Sequence, residues 1–277
     1  MNTRLRQAPR SRAAATLLLG VLALGTLYPL FWLFLNSFKL NDELFEQSWK
    51  FPEAWQWGNY PKAWQYGLGH FMANSVLVTT VSVVVIVLLS ALAAYVLTTQ
   101  RFRGRGVLHA VILGGLIVPP EVSLFPLFKI MKTLGVLDTY FAMILPDVAY
   151  GLPFTVLLLR AYMMVIPLEM AEAARIDGAG LLRCFWSVYL PLCRPALAAA
   201  ALVQGMRVWN EFVFALTFVG RDALRPLTVG LTTFGDSLQT DWPVLLAGLV
   251  ISTLPVLATF LAMQRQFMGG LTAGALK

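Results

Sequence analysis

The residues able to do chemistry in this chain are few, and several stand inside apolar stretches. Glu121 follows Gly114-Gly115-Leu116-Ile117-Val118-Pro119-Pro120, Asp147 follows Pro146, and Arg207 and Glu211 lie four apart with Gln204 and Asn210 beside them. A charged group in hydrocarbon must face other helices or a wet path, because exposure to lipid is costly. Glu121, Asp147, Asn210 and Glu211 are therefore candidates for a translocation path. For Glu121 and Asp147 a place at the outer membrane interface accounts for the same residues equally well, and the sequence leaves both readings open. On one continuous helix, Arg207 and Glu211 should share a face and form an internal ion pair. Cys184 and Cys193 read as small apolar side chains, and His70 and His109 lack a second ligand at metal spacing, so no metal site is expected. No nucleophile and base stand together as an enzyme would need. The chain also lacks a Walker A pattern, so it is not itself an ATPase.

The elements that must position these groups are membrane helices. The chain has 277 residues, of which 58% are hydrophobic and 13% charged, and its mean hydropathy is +0.71. The apolar residues come in blocks long enough to cross about 30 Å of hydrocarbon as helix. An all-α, polytopic single domain is expected, with six spans near 13–35, 71–97, 107–128, 140–159, 195–219 and 243–263. Proline should kink or interrupt the third and fourth spans, and the carbonyls so released must find protein or water.

Net charge is +7, but the basic residues are scattered in short connections and make no long basic stripe with interleaved aromatics, which argues against nucleic acid as a partner. Arg4, Arg6, Arg10, Arg12, Arg101, Arg103 and Arg105 crowd one side of the membrane. The positive-inside rule then puts both termini in the cytoplasm. The run Ala13 to Leu35 is too long for a signal-peptide core and has no small-residue cleavage site at its end, so it should remain as an uncleaved span. Outside, Trp49, Trp55, Trp57, Tyr60, Trp64 and Tyr66 suit either the membrane interface or contact with an external protein.

Between the fourth and fifth spans, Ile166 to Gly180 reads as a short helix outside the membrane. Pro167 suits its first position, Glu169 and Glu172 lie toward its positive end, and Gly178 can end it in the left-handed conformation. Met170, Ala173, Ala174 and Asp177 form a narrow seam that small alanines leave open to another surface. Glu172-Ala173-Ala174, then Gly178, then Val188-Tyr189-Leu190-Pro191 resembles the EAA loop of ATP-binding-cassette importer permeases, with Val188 where the family usually has Ile. Asn74-Ser75, Ala93-Ala94-Tyr95, Leu134 to Thr139, Trp209-Asn210-Glu211 and the carboxy-terminal stretch are similar to its carbohydrate class, the relatives of the maltose importer's second permease.

That resemblance implies a type I importer in a bacterial inner membrane, carrying a sugar or oligosaccharide. A second permease subunit, two cytoplasmic ATPase subunits that bind ATP and Mg, and an external substrate-binding protein would be its partners. It assigns ATPase coupling to Glu169, Glu172, Ala173, Ala174, Asp177 and Gly178 within a loop at 166–191. Gly270, Leu271, Thr272, Ala273 and Gly274 would be a polar, flexible tail docked on the ATPase pair, against a simple frayed end. Thr232, Thr233, Asp236, Ser237 and Gln239 would meet the binding protein, against a plain solvated connector. The rival is an ion-coupled secondary transporter using Glu121, Asp147 and Glu211.

Overall fold

The computed structural model describes residues 9–235 and 240–275, and among them every regular element is helical. The long helices are α1 (Pro9–Asn36), α2 (Gly69–Thr99), α3 (Arg105–Gly114), α4 (Leu124–Thr133), α5 (Tyr140–Met163), α6 (Leu168–Ile176), α7 (Arg194–Trp209), α8 (Val213–Phe218) and α9 (Trp242–Ala275). The chain divides into two compact units, one of residues 1–66 and 234–251, the other of residues 67–233 and 252–277.

In the first unit α1 leads into an aromatic nest. Buried Phe38 packs against Trp55, Trp57 and Tyr60 at ring distances of 5.0, 4.7 and 5.1 Å. Asn59 Nδ2 donates to the carbonyls of Ser37 and Lys39 at 2.9 and 3.0 Å, closing the turn after α1. Some of the outer aromatics thus build local structure, a role the sequence had not suggested, while Trp49 and Trp57 keep broad exposed faces.

In the second unit α2 and α5 are the main packing pair, with α7 laid across both. Gly151 permits the closest approach: a Cβ there would come within 2.6 Å of Ile86 Cδ1. Four helices among the described residues are long and apolar enough to cross a membrane, Ala15–Asn36, Asn59–Thr99, Tyr140–Met163 and Trp242–Ala262. The six expected spans are not all found as such: the third is interrupted, as expected, and the fifth, expected whole, is broken as well. The third breaks into α3 and α4, because Gly114-Gly115 and Pro119-Pro120 cannot sustain a helical ladder. The fifth ends at Trp209 and restarts at Val213, and a segment before it, Leu181–Leu192, meets α7 at a 77° bend. Pro146 and Pro153, by contrast, sit inside one continuous α5. Gly115 lies against Pro153, where an added Cβ would meet Cγ at 2.8 Å, so two of the breakers pack on each other.

Candidate functional site: a buried charge cluster and an exposed helix

The first constellation joins α5 to α7. Asp147 is 1% exposed, and its Oδ1 accepts from Arg207 Nη1 at 3.2 Å, while Arg207 Nη2 donates to the Asp147 carbonyl at 2.6 Å. Arg207 Nε donates to Gln204 Oε1 at 2.8 Å, and Gln204 Nε2 donates to Thr155 Oγ1 at 3.0 Å and to the Gly151 carbonyl at 3.3 Å. The main-chain carbonyls of Asp147 and Gly151 are thereby bonded from α7, beside the two prolines of α5. A guanidinium held by two acceptors and a carboxylate is the arrangement a low-dielectric interior demands of a buried charge.

The ion pair expected between Arg207 and Glu211 is not formed. The helix stops at Trp209, so the i, i+4 face does not exist, and Glu211 caps α8 by accepting from the backbone N–H groups of Phe214 and Ala215 at 2.7 and 3.1 Å. Its own carbonyl accepts from Thr228 Oγ1 at 2.7 Å. A small cavity touches both Asp147 and Glu211. Asn210 is exposed, with its amide turned back onto the Met206 carbonyl at 2.7 Å. Glu121 is exposed in the single turn Pro120–Ser123 and belongs to neither group. Of the four path candidates, Asp147 and Glu211 alone come together.

The second constellation is α6 with the turns after it. Pro167 is the residue before the helix and not its first turn, with extended ψ of 134°. The far end is as expected. Gly178 has φ of +78°, its N–H donates to the Arg175 carbonyl at 3.0 Å, and the Ala179 N–H reaches the Ala174 carbonyl at 2.9 Å. That pair of bonds is a Schellman ending, which satisfies carbonyls the helix leaves open. The expected seam faces outward at Met170, Ala173 and Asp177 and departs at Ala174: Ala171 and Ala174 pack inward, while Glu169, Met170, Glu172, Ala173, Asp177 and Gly178 are exposed. Ile176 is 87% exposed beside them.

The inward face rests on residues that the resemblance had matched without giving them a role. Tyr95 packs on Phe185 and Tyr189 at 5.3 and 4.9 Å, and its hydroxyl donates to the Leu181 carbonyl at 3.0 Å. Leu159, Met163, Cys184 and Cys193 fill the same core, and both cysteines are free thiols. Nothing in spacing could have singled out Tyr95, since its partner lies 86 residues away. Asn74 and Ser75 do comparable work at the other end of α2. Asn74 Nδ2 donates to the carbonyls of Ala223 and Arg225 at 3.1 and 3.0 Å, and Ser75 Oγ accepts from the Leu227 N–H at 2.8 Å.

The connection after α8 is therefore tied down, and its buried Leu227, Val229 and Gly230 make it more than a solvated connector. Thr232 and Thr233 bond their own backbone at Val229 and Gly230, whereas Asp236, Ser237 and Gln239 lie outside the described residues. Asp138, in the motif before α5, accepts from the backbone N–H groups of Arg221 and Gly220 at 3.0 and 2.7 Å, which holds its carboxyl below the usual carboxylate range. In place of the flexible tail expected there, the backbone of Gly270, Leu271, Thr272, Ala273 and Gly274 continues α9 as helix, since the ladder carries through both glycines. Among the described residues no three His, Cys, Asp or Glu side chains gather as metal ligands.

A family described as binding-protein-dependent transport system inner membrane component matches residues 86–267. The chain belongs to that family. The Probable ABC transporter permease protein YurM of Bacillus subtilis is 42% identical over 90% of this chain and 83% of its own. The diacetylchitobiose uptake system permease protein NgcG of Streptomyces coelicolor is 32% identical over 97% of this chain and 90% of its own. A solved bacterial ABC transporter involved in import of the acidic polysaccharide alginate superposes with a TM-score of 0.83 at 26% identity, covering 96% of this chain and all of that one. The permease fold and the role of permease subunit in a binding-protein-dependent importer follow. Nothing in these likenesses supports the ion-coupled carrier.

Proposed function

We propose that this permease imports a saccharide by alternating access, driven through α6 by a separate ATPase pair that holds ATP and Mg. The observation that carries the reading is the two-faced α6: alanines anchor it inward, and Glu169, Glu172, Ala173, Asp177 and Gly178 are presented outward with exposed Ile176. Ala174, half buried, belongs to the anchor and not to the docking face. Through Tyr95, Leu159 and Met163 a push on this helix passes into α2 and α5, the packing pair of the unit. The cluster of Asp147, Arg207 and Glu211 then lines or braces the path between them. Two states of such a bundle, biased by ATP, are what alternating access requires.

In this reading α3 with α4, and α7 with α8, each complete one crossing, giving six spans with both termini in the cytoplasm. The Arg101, Arg103 and Arg105 cluster supports that orientation. A second permease, an external binding protein contacting the connection after α8, and the α9 end lying on the ATPase complete the assembly. Saccharide as cargo is supported by the diacetylchitobiose and alginate systems among the likenesses. The test is Ala173→Trp in the importer: membrane insertion stays normal while saccharide uptake and stimulation of ATPase by the binding protein fall together. Normal uptake in that variant overturns the reading.

A further inference from the structure

A second cluster of polar groups lies outside everything described so far. The end of α2, the first turn of α3 and the last turn of α5 enclose a pocket of about 340 Å³ lined by Leu97, Arg105, Gly106, His109 and Arg160. It contains two guanidinium groups and an imidazole but no carboxylate. Arg160 Nη1 lies 3.2 Å from His109 Nε2. Since arginine only donates, that nitrogen accepts and the imidazole proton resides on Nδ1. Both His109 Nδ1 and Arg160 Nε are buried without a partner, a condition that native interiors rarely leave unanswered. Among the described residues neither Arg105 nor Arg160 pairs with a carboxylate, as Arg207, Arg221 and Arg225 do; Arg101, Arg103, Arg175, Arg183 and Arg194 also have none but are exposed, whereas Arg105 and Arg160 are half-buried.

We propose that Arg105, His109 and Arg160 form a binding site for a phosphate-bearing anion, the headgroup of an acidic phospholipid. Phosphate offers several strong acceptor oxygens to fork-shaped donors, which matches the unpaired N–H groups here. The pocket lies at the ends of two long apolar helices, where headgroups reside, and exposed Val107, Leu108 and Val111 on α3 offer apolar surface for an acyl chain. Exposed Arg101 and Arg103 add attraction for an anionic leaflet. An occupant would bridge α3 to α5, and α5 also contributes Leu159 and Met163 to the core beneath α6.

The test uses the full chain, purified with its accompanying subunits, in nanodiscs of phosphatidylcholine with or without phosphatidylglycerol, with retained lipid read by native mass spectrometry. The wild type should keep phosphatidylglycerol selectively. Arg160→Gln and His109→Gln should each lower that retention about tenfold, while Arg183→Gln, an exposed arginine elsewhere, should not. Arg105→Gln, at a residue with no buried unpartnered atom, gives the same loss with an unchanged elution profile if the other two variants fail to fold. In a second arm inorganic phosphate is titrated in detergent. A phosphate-dependent rise in Tm that the same variants abolish, without lipid selectivity, keeps the anion site and makes free phosphate its source. Equal lipid retention by wild type and variants, with no phosphate-dependent rise, overturns the proposal.

Discussion

The cluster of Asp147 and Arg207 and the helix Leu168–Ile176 treat charge in opposite ways. In the first, every charged or amide group is matched by a partner within the chain, at distances from 2.6 to 3.3 Å. In the second, Glu169, Glu172 and Asp177 have no ion-pair partner among the described residues and face outward, while Ala171 and Ala174 turn in. The charge between the helices is satisfied locally, while the charge that we propose meets another subunit is left available. In that reading the same residue types mean bracing in one place and docking in the other, and surroundings decide which.

The contrast breaks most sharply at Arg207. Arg207→Ala strands the Asp147 carboxylate, and removing one member of a buried pair costs about 3–5 kcal/mol. Sharply reduced yield or Tm is the expected outcome, and replacing both partners, as Asp147→Leu with Arg207→Met, should recover much of it. Gly151→Val, which pushes methyl groups into Ile86 and Gln204, should cost about 1–3 kcal/mol by overpacking. Tyr95→Phe removes one hydrogen bond to the Leu181 carbonyl, worth about 1 kcal/mol. Its ATPase coupling should weaken more than its Tm, because the ring packing remains. Smallest in stability is Glu172→Gln, expected to shift it by no more than about 0.5 kcal/mol while lowering ATPase recruitment in a pull-down. A large Tm loss there would erase the distinction between the two regions.

What was legible in the sequence follows the range of the interactions. Local signals were read directly: apolar length for most spans, and glycine for the left-handed end at Gly178, whose bonds reach no further than Ala174. Periodicity assumed an unbroken helix through Arg207 and Glu211, and failed where Glu211 caps the next helix instead. On α6 the seam was misread at Ala174, which packs against a core of Tyr95, Phe185 and Tyr189, none of them local to it. The partnership of Asp147 with Arg207 spans 60 residues, and that of His109 with Arg160 spans 51. Spacing within a helix carries no information about either.

Adjacent alanines provide the most direct test of the coupling reading. Ala173 is exposed and Ala174 is half buried against the core, so single cysteines at the two positions differ in orientation and in little else. With native Cys184 and Cys193 replaced by alanine, a short thiol-to-amine cross-linker is applied to membranes containing the assembled importer. Cysteine at 173 should cross-link to the ATPase subunit and cysteine at 174 should not. Cross-linking at 174 equal to that at 173, or at neither position in an assembled complex, would contradict the two-faced helix on which the account rests.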